Sequence, residues 1–308
     1  MSDQKETLLS LKVDVDTLRG YREGVPRMLD LFERLGIRAS LFFSFGPDNS
    51  GKAIRRIFRK GFLTKMLRTK APSTYGFKTL LYGTLLPAPQ IVEQAPEILK
   101  RAYQEGHECG THAWDHVRWQ DELQGMDCPA IRDEFAKARK LFKKIIDTDA
   151  TSCAAPGWQV TANSLEVQDE LNLCYASDTR GTSPFYPRYE NKTFKTLQIP
   201  TTLPTLDELL GAPGMDDPTI LRLWTDGMQH RFNVLTIHAE MEGLSKLDFL
   251  ERFLLECLEK SVRLITLAEA AKQCSEEEIP ACSIQMGALE GRAGTLAIQR
   301  NGGKEHVL

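Results

Sequence analysis

Short apolar runs recur along the chain, and several of them end in a charged or histidine side chain. The first run, residues 8–16, reads LLSLKVDVD and predicts a β-strand that ends in two aspartates. Residues 23–37 carry apolar side chains at helical spacing, and Gly36 ends the predicted helix. Residues 39–46 predict a second, buried strand. A strand, a helix and a strand in succession predict a βαβ unit and therefore a parallel sheet.

Strands and helices continue to alternate through the rest of the chain. The further predicted strands are 151–155, 173–177, 197–200, 234–238 and 263–267, and the further helices include 130–146 and 246–260. This alternation favours an α/β barrel, with an open doubly wound sheet as the second choice. In both folds, chemistry collects at the carboxyl ends of the strands. The polar residues predicted there are Asp14, Asp16, His112, His116, Asp178 and His238.

The length fits one large domain or two smaller ones, and we expect a single α/β domain over residues 1–286, with an insertion at about 49–92. The glycine-rich end, 287–308, has no periodic pattern, so we expect a flexible tail.

The net charge of −3 argues against general nucleic-acid binding. The seven cysteines are scattered and form no CxxC pair, which indicates reduced thiols and no disulfide-linked partner. No apolar run approaches the roughly eighteen residues that span a bilayer, so we expect a cytoplasmic protein, either free or on a membrane face.

Residues 106–116, GHECGTHAWDH, hold three of the chain's six histidines. His112 and His116 are four positions apart, which on a helical turn places both imidazoles on one face, where they can share a metal. Two ordinary hydrogen-bonding histidines would show the same spacing. Asp14 and Asp16 point to one side of an extended strand, where their charges repel unless a cation lies near. Two histidines and one aspartate leave open positions on a metal for water and substrate, as hydrolytic sites require.

The motifs VDVDT, GHECGTHAWDH, APGW and LTIH, in this order, resemble the polysaccharide deacetylase (NodB-homology) family of metal-dependent amide hydrolases. The resemblance covers about residues 8–272 and implies a distorted (β/α) barrel that binds one divalent metal ion. The implied roles are catalytic base for Asp14, metal ligand for Asp16, His112 and His116, and general acid for His238. Zn²⁺ is the default metal for such ligands, and Mn²⁺, Co²⁺ or Fe²⁺ would also fit. His107 is outside the ligand pattern, and we interpret it as structural.

The chain departs from the family pattern in two places. Val15 separates two aspartates that are adjacent in the common motif, so the division of roles between them is open. Many members carry an arginine before the proline of APGW that positions the base, but here the segment is CAAPGW. Charge alone makes Arg180 a candidate substitute. Asp178 is a candidate to orient the general acid, and a backbone N–H near Trp158 is a candidate oxyanion donor.

Longer segments narrow the resemblance to one branch of the family. The segments DVDTLRGYREGVPRML, FFSFGPDNSG, SDTRG, QIPTTLPTLDELLG and TIHAEMEG resemble deformylases that remove formate from a formamido-sugar on a polyprenyl phosphate carrier. In that branch the amino sugar goes on to modify lipid A, which gives resistance to polymyxin. Arg19, Arg22 and Trp158 are the candidate substrate-binding residues, the two arginines for the phosphodiester. The alternatives are a deacetylase of a soluble N-acyl sugar or other small amide, and a non-catalytic membrane-surface protein.

A basic segment without acidic residues extends from Asn49 to Val92. Within 51–70, eight lysines and arginines accompany apolar residues at helical spacing, which predicts a basic amphipathic helix or a pair divided at Gly61. The alternative is an ordinary insertion packed on the barrel. A polyprenyl tail stays in the bilayer, so we favour peripheral attachment to an anionic membrane surface, the cytoplasmic face of the inner membrane. The membrane-interface candidates are Arg55, Arg56, Phe58, Arg59, Lys60, Phe62, Leu63, Lys65 and Met66.

Overall fold

The strands form a parallel central sheet and a smaller mixed sheet. The computed structural model describes residues 7–52, 78–274 and 278–300. The strands are β1 (Leu8–Val15), β2 (Ser40–Phe43), β3 (Glu108–Thr111), β4 (Ser152–Cys153), β5 (Tyr175–Ala176), β6 (Tyr186–Tyr189), β7 (Lys192–Thr193), β8 (Phe232–His238), β9 (Arg263–Leu264), β10 (Ala281–Gly287) and β11 (Leu296–Arg300). The central sheet has the order β5-β4-β3-β2-β1-β8, and β9 pairs with the start of β1. The smaller sheet has the order β11-β10-β6-β7.

Helices follow most strands of the central sheet, as the sequence predicts. They are α1 (Val25–Leu35), α2 (Pro96–Gln104), α3 (His116–Glu122), α4 (Cys128–Ile146), α5 (Ala162–Glu170), α6 (Leu206–Leu209), α7 (Asp217–Gly227), α8 (Leu247–Glu259) and α9 (Leu267–Cys274). A short π-helical turn, Gly20–Gly24, precedes α1. The helices predicted over 23–37, 130–146 and 246–260 are confirmed as α1, α4 and α8. Gly36 ends α1 in a left-handed conformation, with φ +66°, which glycine adopts without strain.

Strand β1 divides its side chains between two buried environments. The side chains in the core between the sheet and the helices are Leu9, Leu11, Val13 and Val15. The alternate positions Ser10, Lys12 and Asp14 are also buried, and they face the opposite side of the strand. There the Lys12 ammonium reaches the carbonyl of Ser177, which follows β5. The inward face of β1 is therefore a polar row that crosses the barrel interior.

Residues 197–203 close the barrel. Their first part, 197–200, was predicted to be a strand, but in the structure the segment forms only isolated β-bridges. On one side, Ile199 N–H donates to Ala176 O at 2.9 Å. On the other side, Leu203 N–H donates to Val234 O at 3.1 Å. The segment thus joins the β5 edge of the sheet to β8. The fold is a distorted (β/α) barrel, which confirms the first choice over an open sheet.

The C-terminal hairpin corrects the prediction of a flexible tail from residue 287. β10 and β11 pair antiparallel, and the buried Leu296 and Ala297 pack in the small apolar clusters at this end. Arg180 N–H donates to Ala297 O at 2.9 Å, which ties the hairpin to the barrel. The prediction was wrong for residues up to Arg300. β11 has only five residues and follows a glycine-rich turn, so the sequence shows no clear periodic pattern there.

Candidate active site

The three predicted metal ligands come together at the carboxyl ends of β1 and β3. His112 Nε2 lies 3.2 Å and His116 Nε2 lies 3.4 Å from Asp16 Oδ1. One donor atom from each residue lies within 4.8 Å of the others. Asp16 Oδ1 is buried and has no geometrically sound hydrogen bond within the described part of the chain, so this oxygen still needs a partner. Two imidazole nitrogens and one carboxylate oxygen suit Zn²⁺ and related ions, and the residues therefore fit a divalent metal.

The two histidines reach this site from different elements. His112 N–H donates to Phe43 O at 2.7 Å, so His112 extends the end of β3. Ala113 then turns the chain with φ +61°, a left-handed conformation that is uncommon for alanine. Asp115 accepts hydrogen bonds from two N–H groups of the next turn and caps α3, which begins at His116. The pair therefore does not share a helical face, as the spacing suggested, but joins a strand end to a helix start.

Local hydrogen bonds and charges prepare the ligand atoms. His112 Nδ1 lies 2.7 Å from Ala154 O. A carbonyl only accepts, so Nδ1 carries the proton and Nε2 keeps its lone pair for a metal. Burial alone would raise the pKa of Asp16, but the imidazoles of His116 and His112 hold that pKa well below its usual range. The Asp16 carboxylate is therefore ionised at neutral pH.

Asp14, the predicted base, lies beside the buried ammonium of Lys12. Lys12 Nζ is 3.5 Å from Asp14 Oδ2 and donates to Ser177 O at 2.9 Å. Asp14 Oδ1 is buried and makes no hydrogen bond within residues 7–52, 78–274 and 278–300. One oxygen of the carboxylate thus faces a cation, and the other remains for a water molecule. Lys12 was not predicted, although its position two residues before Asp14 places both side chains on one face of β1.

His238, the predicted acid, ends β8 opposite Asp14 in the β1–β8 register. Burial alone would lower the pKa of His238, but four carboxylates raise it overall, and Asp207 contributes most among them. The raised pKa keeps more of the imidazolium form at neutral pH, which a general acid needs. Asp207 was not predicted, because it lies in a segment that reads as an ordinary helix start.

Asp178, predicted to orient His238, has other partners. Its Oδ2 accepts a hydrogen bond from Gln168 Nε2 at 2.6 Å, and its backbone N–H donates to Gln198 Oε1 at 3.1 Å. Burial raises the pKa of Asp178. Within the described residues, the carboxylate with the largest effect on His238 is Asp207 instead.

Arg180, predicted to position Asp14, is bound elsewhere. Its Nη1 donates to Glu208 Oε1 at 2.5 Å, and both side chains are buried. The cation that faces Asp14 is Lys12, two residues earlier in β1. The predicted cation is therefore present, but it is Lys12, two positions before Asp14 on the same face of β1, and not Arg180.

Trp158 forms the wall between β1 and the C-terminal hairpin. Its indole is 2% exposed, and three cations surround the ring: Lys12 at 5.3 Å, Arg180 at 5.4 Å and Arg292 at 4.4 Å from its centroid. Arg292, from the loop between β10 and β11, was not predicted. The Trp158 backbone N–H donates to Ala155 O at 3.1 Å, so this N–H is not open to an oxyanion.

The two predicted phosphate-binding arginines lie just after Asp16 in the chain. Arg19 is half-buried and pairs with Glu23 at 3.2 Å, and Arg22 is exposed on the π-helical turn. Their roles stay predictions. The predicted membrane-interface residues all lie within 53–77, outside the described residues.

Two fully buried glutamates after His238 hold the backbone of the site. Glu240 Oε1 accepts hydrogen bonds from the N–H groups of Asp16 and Thr17, at 3.0 and 2.8 Å. Glu242 Oε2 accepts one from His238 N–H at 2.9 Å. Burial raises the pKa of Glu240 to about 8 and that of Glu242 to about 7. The glutamates of HAEMEG therefore position both the ligand loop and the predicted acid.

His107, the remaining histidine of the motif, has the structural role that was predicted. It is buried, and its Nδ1 accepts a hydrogen bond from Ala39 N–H at 3.1 Å. Burial lowers the pKa of His107, which favours the neutral, accepting imidazole. This contact ties the start of β3 to β2.

Comparison with known proteins assigns the family. Residues 74–176 match the family model for polysaccharide deacetylase. Over 304 residues, the chain is 38% identical to a Shewanella sediminis (strain HAW-EB3) protein assigned as 4-deoxy-4-formamido-L-arabinose-phosphoundecaprenol deformylase ArnD, and the match covers 97% of each chain. The chain belongs to the ArnD deformylase family. A Wigglesworthia glossinidia brevipalpis protein assigned the same name is 30% identical over 288 residues, which cover 91% of this chain and 98% of that protein.

Solved structures share the fold of this ArnD-family chain at low sequence identity. A polysaccharide deacetylase from Mycobacterium smegmatis superposes with a TM-score of 0.64 at 15% identity, over 94% of this chain and 97% of its own. One from Pseudomonas aeruginosa PAO1 gives a TM-score of 0.59 at 16% identity, over 89% and 93%. At these identities the likeness establishes the fold alone. Together with the family match, it confirms the predicted resemblance to polysaccharide deacetylases.

Proposed function

We propose that this enzyme hydrolyses the formamide of 4-deoxy-4-formamido-L-arabinose carried on undecaprenyl phosphate, and releases formate and the amino sugar. The amino sugar then serves lipid A modification and polymyxin resistance, as the resemblance implies. One observation carries the proposal: Asp16, His112 and His116 converge at the barrel mouth of a chain that is 38% identical to an ArnD protein over 97% of its length. Convergence of distant motif residues is what a metal-dependent hydrolase requires.

Asp16, His112 and His116 would hold the divalent ion. When bound, the ion supplies a Lewis acid that acidifies water and polarises the formyl oxygen. The His112 and Asp16 donor atoms already have the tautomer and the charge that coordination needs. Zn²⁺ is the default, and Mn²⁺, Co²⁺ and Fe²⁺ are the alternatives for this donor set.

Asp14 and His238 divide the proton transfers. Asp14 accepts the proton of the water that attacks the formyl carbon, through the oxygen that does not face Lys12. The amine is a poor leaving group, so it must be protonated as the carbon–nitrogen bond breaks. His238 donates this proton, and its carboxylate neighbours, Asp207 first, raise its pKa and so favour the protonated form. A substrate contact by Trp158, which is 2% exposed, stays a prediction.

The decisive assay follows formate release from synthetic formamido-arabinose polyprenyl phosphate, with and without a chelator. We expect turnover that the chelator abolishes and that added Zn²⁺, Mn²⁺ or Co²⁺ restores. An N-acetylated soluble oligosaccharide is the matched control. Faster hydrolysis of that control would favour the deacetylase alternative. Absence of turnover and of bound metal would favour the non-catalytic alternative.

We also propose that the enzyme works at the anionic surface of the cytoplasmic face of the inner membrane. In the described ranges, no helix has the length and apolar character to cross a bilayer. The loop 79–86 lies in the basic segment 49–92, after its lysine- and arginine-rich part 51–70, and exposes Leu85 by 80% and Leu86 by 37%. Exposed leucines beside a basic segment suit the boundary between headgroups and acyl chains. This loop supports attachment by insertion of apolar side chains.

The position of the loop relative to the site supports the same proposal. Gly51 N–H donates to Tyr82 O at 3.0 Å, which joins the loop 79–86 to the segment after β2. In that segment, Asn49 Nδ2 donates to Asp115 Oδ2 at 2.6 Å, and Asp115 caps the helix that begins with His116. A membrane-bound loop would therefore hold the metal ligands near the surface where the polyprenyl phosphate lies.

Flotation with vesicles tests the attachment. We expect wild-type enzyme to float with vesicles that contain anionic lipid at low salt, and Leu85→Asp to bind less. Leu258→Asp, at an exposed leucine of α8 that is distant in sequence, is the matched control and should bind as wild type. No flotation of wild type, or equal binding by both variants, would contradict the proposal.

A further inference from the structure

We propose that Lys12 positions the Asp14 carboxylate for proton transfer and is thus a positioning residue of the deformylase reaction. The inference rests on the proposed role of Asp14 as the base. It assigns a function to a side chain that belongs to none of the motifs by which the family is identified.

Lys12 is fully buried in the middle of β1. Lysine is almost never fully buried unless its charge is paired. The ammonium has three contacts: Ser177 O at 2.9 Å, Asp14 Oδ2 at 3.5 Å and the Trp158 ring centroid at 5.3 Å. The Ser177 carbonyl follows β5 and the Trp158 ring follows β4, so the position of the ammonium does not depend on Asp14 alone.

The free-energy cost of burying the Lys12 ammonium indicates that Lys12 has a role other than stabilising the fold. A buried ion pair is often no more stabilising than apolar residues of the same volume. The neighbouring inward positions already include apolar side chains such as Phe42 and Val234, so a long apolar residue would fit this environment. A fixed cation at Asp14 Oδ2, by contrast, stops rotation of the carboxylate and leaves Oδ1 in one place. A base must be held this way to meet the proton of the attacking water.

In the described part of the chain, no other lysine or arginine lies beside the Asp14 carboxylate. Arg180 is held by Glu208 and by Leu203 O at 3.0 Å. Across residues 7–52, 78–274 and 278–300, Lys12 is the lysine or arginine within ion-pair distance of Asp14. Replacement of Lys12 therefore leaves the carboxylate without a cationic anchor.

The first test compares two substitutions of Lys12 in the metal-loaded enzyme. Lys12→Met should lower kcat by about 100-fold, while KM and metal content stay within about twofold of wild type. Lys12→Arg keeps the charge and should retain at least about a tenth of kcat. Ser10→Ala, at the buried inward position two residues earlier, is the matched control and should keep full activity. If Lys12→Met does not fold, Lys12→Gln takes its place.

A double-mutant cycle separates positioning from a merely structural role. If Lys12 acts through Asp14, then Lys12→Met costs less than about twofold in an Asp14→Asn background. An equal loss of kcat in both backgrounds would overturn the proposal, as would a Lys12→Met enzyme with wild-type kcat. Failure of the proposed function is distinct, because the wild-type enzyme itself would then not release formate.

Discussion

The carboxylates at the two ends of the barrel differ in how their oxygens are hydrogen-bonded. At the amino ends of the strands, Glu108 accepts four hydrogen bonds, from the hydroxyls of Ser40, Ser152 and Tyr175 and from Ala268 N–H, at 2.5 to 2.9 Å. At the carboxyl ends, several buried carboxylates each leave one oxygen without a hydrogen bond in the described residues. They are Asp14, Asp16, Asp178, Glu240 and Glu242.

The difference shows that the hydrogen-bond partners of a carboxylate, and not its residue type, distinguish structural from functional carboxylates in this barrel. A satisfied carboxylate such as Glu108 stabilises the fold, whereas an unsatisfied buried polar group costs about 1–3 kcal/mol. Among these five residues, Asp14 and Asp16 are the two whose unbonded oxygen the proposed chemistry uses. We therefore expect substitutions at the carboxyl ends to remove activity, and substitutions at the amino ends to remove stability.

The largest effect is expected for Asp16→Asn. The amide is a weaker ligand and carries no charge, so bound metal should be lost and formate release should fall by more than about 1000-fold. The free energy of unfolding without metal should fall, because the imidazoles of His112 and His116 stabilise the Asp16 carboxylate in the folded state. Metal content, activity and urea unfolding measure these quantities. Asp149→Asn, on the surface, is the control, and retention of metal and activity by Asp16→Asn would refute the ligand assignment.

A smaller effect is expected for Asp207→Asn. The Asp207 carboxylate raises the pKa of His238, so its removal lowers that pKa. The imidazolium is then lost at a lower pH, and the alkaline limb of the kcat profile should move to lower pH. We expect kcat at neutral pH to fall about tenfold to 100-fold. An alkaline limb that does not move would exclude Asp207 as the group that charges His238.

Glu108→Gln should leave the chemistry intact. The substitution disrupts the partly buried hydrogen-bond cluster around Glu108, and the free energy of unfolding should fall by about 1–3 kcal/mol. Urea unfolding gives this value, and kcat should remain within about twofold of wild type. A loss of activity without a loss of stability would show that the two ends of the barrel are not divided as described.

Local patterns in the sequence predicted much of this structure. The apolar run of β1 reflects a strand buried on both faces, and the helical spacing of α4 reflects burial on one side; both elements are reproduced. The metal ligands could be predicted because their motif lies at strand ends. Lys12 could also have been found, since Ser10, Lys12 and Asp14 alternate along one face of β1.

Other parts of the site depend on tertiary contacts that no local pattern shows. Asp207 and Arg292 lie on the segment between β5 and β8 and on the C-terminal hairpin, and long-range contacts bring both to the barrel mouth. The spacing of His112 and His116 correctly predicted that the two imidazoles lie together, but the predicted geometry was wrong. It implied one helical face, but the Asp115 cap starts a helix at His116 beside the end of β3.

The most direct test is anomalous diffraction from crystals of the active, metal-loaded enzyme, measured at the absorption edge of Zn or Co. The account predicts one peak at about 2.0–2.2 Å from Asp16 Oδ1, His112 Nε2 and His116 Nε2. A peak at another place in the active enzyme, or an Asp16 side chain turned away from both imidazoles, would contradict it.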